Sequence, residues 1–120
     1  MGKYSDQSKA VFNFINTLSK ENPKIAEGFV TMHKASGEDK ALTGKTKELI
    51  ALGIAISIRC EGCIACHVEA ALNAGATKDE IVETIGVAVV MGGGPSIVYG
   101  DKAYEAMNEM MKVGSEASNN

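Results

Sequence analysis

Apolar residues recur at helical spacing along nearly the whole chain, and no segment alternates apolar and polar positions with a period of two. Asp6 to Ser19 gathers Val11, Phe12, Phe14, Ile15 and Leu18 on one face. Pro23 suits the start of a second helix, which Ile25, Phe29, Val30 and Met32 continue. The polar stretch Ala35-Ser-Gly-Glu-Asp-Lys40 reads as a loop. Thr43 is positioned to cap an apolar helix running from about Gly44 to Ile58. A fourth helix is expected from Gly62 to Asn73, ended by Gly75. Thr77-Lys-Asp-Glu80 matches a capping box and opens a helix carrying Ile81, Val82, Ile85, Val89 and Val90. Gly92-Gly93-Gly94-Pro95 breaks that helix, and Pro95 fits the first turn of a last one ending near Val113. Ser115 to Asn120 is polar and is expected to be a flexible tail. The pattern predicts an all-α, single-domain helical bundle over residues 1–120.

Two of these helices, Leu49 to Ile58 and Ile81 to Met91, are apolar nearly all round. Such helices need cover on every side, and a chain of 120 residues has few helices to spare for it. A homo-oligomer is therefore expected. Leu49 to Ile58 falls well short of the roughly 20 apolar residues of a membrane span. The opening MGKYSDQSKA has no apolar signal-peptide region, and Asp6 stands where a myristoylation signal wants Ser or Thr. These features predict a cytosolic protein with no membrane partner.

The mass of 12.6 kDa suits one domain. Twelve basic against fifteen acidic residues give a net charge of −3, and Arg59 is the sole arginine. Aromatic residues make up 5% and Trp is missing. A chain without a basic face or stacking platforms is a poor nucleic-acid binder. The glycine run has no following Lys-Ser/Thr and no preceding strand, so it reads as a helix break with close packing rather than a phosphate cradle.

All three cysteines fall within seven residues, Cys60-Glu-Gly-Cys63-Ile-Ala-Cys66, and His67 follows. Disulfides that staple a scaffold are spread along the chain, unlike these. Zinc accepts three Cys and one His, but its ligands usually come from two separated segments, and on a helix Cys66 and His67 diverge by about 100°. His33, the other histidine, is remote in sequence. Cys63-Ile-Ala-Cys66-His67 matches the haem-attachment pattern, yet nothing in the chain directs export. An iron–sulfur cluster wants a fourth cysteine. Three small buried cysteines beside a core histidine form the plainest alternative.

A dithiol redox site accounts for more of the pattern. Cysteines at i and i+3 lie about 60° apart around a helix and come within disulfide reach. A thiol in the first helical turn feels the positive end of the helix dipole, which favours thiolate. Gly62 is expected to allow the bend into the helix. His67 lies at i+4 from Cys63, within range of a base withdrawing its proton. For the register Cys63 with Cys66 the same position would be Ala70, so the expected pair is Cys60 with Cys63, and Cys66 is a buried neighbour. No metal or cofactor is expected.

The run Glu48, eleven residues, Cys60-x-x-Cys63, three residues, His67 resembles the carboxymuconolactone decarboxylase-like family, specifically its alkylhydroperoxidase D (AhpD)-like branch. The flanks KTKELIALGIA and ALNAGATKDEIVETIGVAVVMGGGP are similar too, so the resemblance covers a core at 42–99. It implies an all-α domain assembling as a homo-trimer or homo-hexamer. It also implies a peroxiredoxin-type thiol peroxidase or disulfide oxidoreductase. In that reading Cys63 attacks a hydroperoxide, Cys60 resolves it as a disulfide, and Glu48 and His67 relay the proton. The implied partners are the hydroperoxide and a dithiol reductant protein, lipoyl or thioredoxin-like. By pattern alone Glu48 would be a surface residue of an amphipathic helix; the family spacing promotes it. Two departures stand out: Gly62 occupies a position where some members carry a histidine, and Cys66 lies outside the motif. The alternatives are decarboxylation of a lactone acid, whose enzymes lack the cysteine pair, and a zinc- or thiol-based structural module.

Overall fold

Two threonines and a proline open helices where the sequence expects them. A computed structural model describes residues 2–118, with side chains as far as residue 114. These residues form α1 (Lys3–Glu21), α2 (Pro23–Gly37), α3 (Gly44–Ser57), α4 (Glu61–Asn73), α5 (Lys78–Gly92) and α6 (Gly94–Ser118), with no strand among them. The Thr43 hydroxyl accepts the Thr46 N–H at the start of α3. At α5 both halves of the capping box are made: Glu80 N–H to Thr77 Oγ1 at 3.1 Å and Thr77 N–H to Glu80 Oε1 at 2.9 Å. Gly75 adopts φ +94° just past α4, the left-handed helix stop that glycine tolerates best.

Where boundaries differ from expectation, a long-range contact or a continuing backbone explains it. α1 begins three residues before Asp6 because the Glu109 carboxylate, from α6, accepts the N–H groups of Tyr4 and Ser5 at 3.2 and 3.0 Å. A carboxylate at a helix N-terminus satisfies donors that the helix leaves open. Gly2 makes room for it, since a Cβ there would crowd the Glu109 carboxyl group. The buried Tyr4 hydroxyl donates to Glu105 Oε2 at 2.6 Å, and burial together with that carboxylate raises Tyr4 above the usual phenol range. The first helix is thereby pinned to the last. α2 takes in Ala35, Ser36 and Gly37, leaving a shorter loop than expected. α6 continues past Val113 to Ser118, so the expected tail falls partly on helix, and residues 119 and 120 lie outside the described residues.

The core forms where α4 packs against α1, α3 and α6, with α5 closing against α3 and α6. Leu52 and Ile56 of α3, Ile64 and Val68 of α4, Ile81 of α5 and Met107 of α6 are fully buried. Each contributes about 1.5–3 kcal/mol of transfer free energy. The glycine run behaves as a tight break: Gly93 takes φ +69°, and a Cβ on Gly92 would collide with Ser96.

The apolar surround of α3 and α5 resolves into two faces. One joins the core; the other, with Ile50 and Ile54 of α3, Ile58 at its C-cap, and Val87, Val90 and Met91 of α5, is exposed in the single chain. Val90 and Met91 are 83% and 80% exposed. A cleft of about 450 Å³ between the helices carries no charged side chain on its walls. Among the described residues no helix is long and apolar enough to cross a membrane.

Candidate active site between two helices

The turn from α3 into α4 is a Schellman-type stop that hands directly over to the next helix. The Arg59 N–H reaches Ile56 O at 3.2 Å and the Cys60 N–H reaches Ala55 O at 3.1 Å. Arg59 takes φ +60°, a left-handed conformation that usually selects glycine. The bend expected at Gly62 therefore falls at Arg59, and α4 begins one residue earlier, at Glu61. Gly62 sits in regular helix facing α1, where a Cβ would meet the Val11 methyl at 3.4 Å, an ordinary contact.

Cys60 is both the end of that stop and the N-cap of α4: its Sγ accepts the Cys63 N–H at 3.2 Å. Cys60 and Cys63 are joined as a disulfide with Cα atoms 5.2 Å apart, the pairing expected from the sequence. Cys66 is a free thiol, half-buried rather than fully buried. Burial pushes its pKa up, opposed in part by the hydroxyl of buried Ser8, which itself donates to Glu69 at 3.0 Å.

Glu48 and His67 meet across the α3–α4 pair, with Oε2 2.7 Å from Nδ1. Their side chains are only 20% and 24% exposed. A carboxylate on Nδ1 holds that nitrogen as the donor, turns the ring, and leaves Nε2 as the proton acceptor. The structure thus brings Glu48, which the pattern alone would leave on the surface, to the histidine one turn beyond Cys63.

Cys60, Cys63, Cys66 and His67 share one cavity of about 440 Å³. Its other wall is Val11, Phe12 and Ile15 of α1 with Phe29, Val30, His33 and Lys34 of α2. In the sequence the apolar members of this wall read only as faces of generic helices, and His33 as remote. The available signal is a surplus of large apolar groups: Phe12 and Phe29 contribute to no core and stay largely exposed. Among the described residues no three His, Cys, Asp or Glu side chains converge as a metal-holding group.

Comparison with known proteins bears on the fold and the family. The chain is 33% identical over 94 residues to an uncharacterized protein of Cupriavidus necator, covering 76% of this chain and 83% of the relative. It superposes on a carboxymuconolactone decarboxylase family protein from Legionella pneumophila with a TM-score of 0.85 and 40% identity, over 88% of this chain and 95% of that one. A Thermotoga maritima protein described in the same family shares the fold at a TM-score of 0.84 and 24% identity, over 92% and 94% of the two chains. A model of the carboxymuconolactone decarboxylase family matches residues 23–106, wider than the core that the motif marks. On that span and those likenesses, the chain belongs to the carboxymuconolactone decarboxylase family.

Proposed function

We propose that this protein is a thiol peroxidase of the alkylhydroperoxidase type, working through the Cys60–Cys63 dithiol. The observation that carries the reading is the disulfide sharing a cavity with a histidine held by a carboxylate. In the reduced protein, His67 Nε2 takes the Cys63 proton, and the imidazolium is stabilised by Glu48. The Cys63 thiolate attacks the outer oxygen of the hydroperoxide, and the O–O bond breaks. The leaving alkoxide takes the proton from His67 and departs as an alcohol, leaving Cys63 as a sulfenic acid. Cys60 attacks that sulfur, its proton leaves with the hydroxyl as water, and the disulfide forms. An external dithiol, lipoyl or thioredoxin-like, returns two electrons and two protons by thiol–disulfide exchange.

The assembly belongs to the same reading. The bare apolar faces of α3 and α5 suit burial against further copies, as a homo-trimer or homo-hexamer. We also place the protein in the cytosol, where an external dithiol keeps the pair cycling.

The test is peptide mapping by mass spectrometry after one equivalent of peroxide, followed by turnover with a small dithiol. Loss of two hydrogen atoms from the Cys60–Cys63 peptide and catalytic consumption of peroxide are expected. Release of CO2 from a lactone acid by a protein with both cysteines changed to Ser would replace this reading with a decarboxylase.

A further inference from the structure

We infer that Lys34 makes this site selective for amphipathic hydroperoxides bearing a carboxylate, a specificity that rests on the peroxidase reading above. A cavity of about 440 Å³ lies inside the roughly 300–1,000 Å³ of ordinary small-molecule sites. It far exceeds the room for hydrogen peroxide, since a water takes about 30 Å³ in the liquid. Apart from His33 and Lys34, the walls contributed by α1 and α2 are aliphatic and aromatic, which suits an organic chain.

Charge then narrows the class. Among the twelve residues lining the cavity there is no Asp or Glu, while Lys34 contributes a basic side chain and His33 adds a ring N–H donor, its ring stacked on Phe29. The chain as a whole carries −3, so this wall runs against the overall charge. Among the described residues four of the eleven lysines are ion-paired: Lys3 and Lys102 with Glu61, Lys40 with Glu38, Lys45 with Glu80. Lys34 has no such partner among the described residues. The uncharged cleft between α3 and α5 offers the contrast: a surface with nothing to recognise an anion suits another copy of the chain, whereas a cation over an apolar wall suits a ligand with an acid group. Lysine recognises a carboxylate as a point charge at the mouth of such a site.

The experiment measures kcat and KM of the full-length protein with linoleic acid hydroperoxide, its methyl ester and cumene hydroperoxide, using a small dithiol as reductant. The free acid should be preferred to the ester by about tenfold in kcat/KM, chiefly through KM. In Lys34→Gln that ratio should collapse towards one, and Lys34→Arg should restore most of it. Rising salt should shrink the preference in the wild type. A ratio near one in the wild type, or one that survives Lys34→Gln, would overturn the inference while leaving the peroxidase reading in place, provided cumene hydroperoxide is turned over. If all three peroxides are inert, the peroxidase reading itself fails. If Lys34 variants change nothing and Phe29→Asp lowers the native mass, a second copy fills the cavity and the carboxylate proposal is wrong.

Discussion

Glu48 Oε2 and His67 Nδ1 stand 2.7 Å apart although nineteen positions separate them in the chain. Such a pair acts as a unit, so its removal should be non-additive. His67→Ala should slow peroxide consumption by about 10²–10⁴-fold, the usual loss of a general base. Glu48→Gln should slow it less, and the double variant should be little worse than His67→Ala alone. Stopped-flow kinetics checks this, with circular dichroism showing the fold retained; a normal rate for His67→Ala would remove the proposed relay.

Cys66 tests the register of the thiol chemistry. Its pKa is raised by burial, so it stays protonated at neutral pH and should react slowly with iodoacetamide there, faster as pH climbs. Cys63→Ser should abolish turnover, whereas Cys66→Ser should be nearly silent. Mapping that found Cys63–Cys66 as the main oxidised species would reverse the assignment.

The bare faces of α3 and α5 should be covered in solution. Light scattering is expected to give about three or six times the 12.6 kDa chain mass. Val87→Asp or Ile54→Lys should lower it, because each puts an unpaired charge into the apolar cleft. A stable monomer at micromolar concentration would contradict the assembly.

Arg59→Gly should stabilise the fold by about 1 kcal/mol, since the left-handed backbone it relieves usually costs roughly 1–2 kcal/mol for a residue with a Cβ. Urea unfolding measures it. A loss of stability would mean that the arginine side chain contributes a contact outweighing the backbone strain.

Acid should weaken the fold through Glu61 and Glu80. Hydrogen bonding from Gln7, with Lys102 and Lys3 nearby, holds the Glu61 carboxyl below its ordinary range; the Thr77 N–H and Lys45 do the same for Glu80. Folded pKa values below the unfolded ones mean that the unfolded chain binds more protons as pH falls through the carboxylate range. Stability from these groups is present above that range and is lost below it. Glu80→Gln keeps an acceptor for the capping box but cannot titrate, so its melting temperature should converge with that of the wild type as pH drops.

Much of this fold is readable locally. Thr43, Thr77 with Glu80, Gly75 and Pro23 act through neighbours within a turn, so their effect is written beside them. The features that escape such a reading are non-local: Glu109 capping α1 from the far end of the chain, and α1 and α2 folding over the cysteines to wall the cavity. The i, i+3 and i+4 spacing of Cys60, Cys63 and His67 carries the disulfide, but Glu48 needs the family motif because a contact between two helices leaves no trace in either helix alone. Gly62 misleads in the opposite way: a glycine beside a bend invites the conformational role, yet Arg59 takes the bend and Gly62 lies in regular helix.

The handover from α3 to α4 turns motif spacing into a matter of mechanical tolerance. Cys60 ends one helix and caps the next, with no slack residue in the joint. One inserted residue would advance α4 by about 1.5 Å and rotate it by about 100°. Either the Schellman bonds or the Glu48–His67 contact would then have to give way. An indel there is felt at once at both ends of the hairpin, whereas the loop of six residues between α2 and α3 caps only the helix that follows it. Length variation among working variants of this chain should therefore accumulate in that loop and avoid the three residues from Ile58 to Cys60.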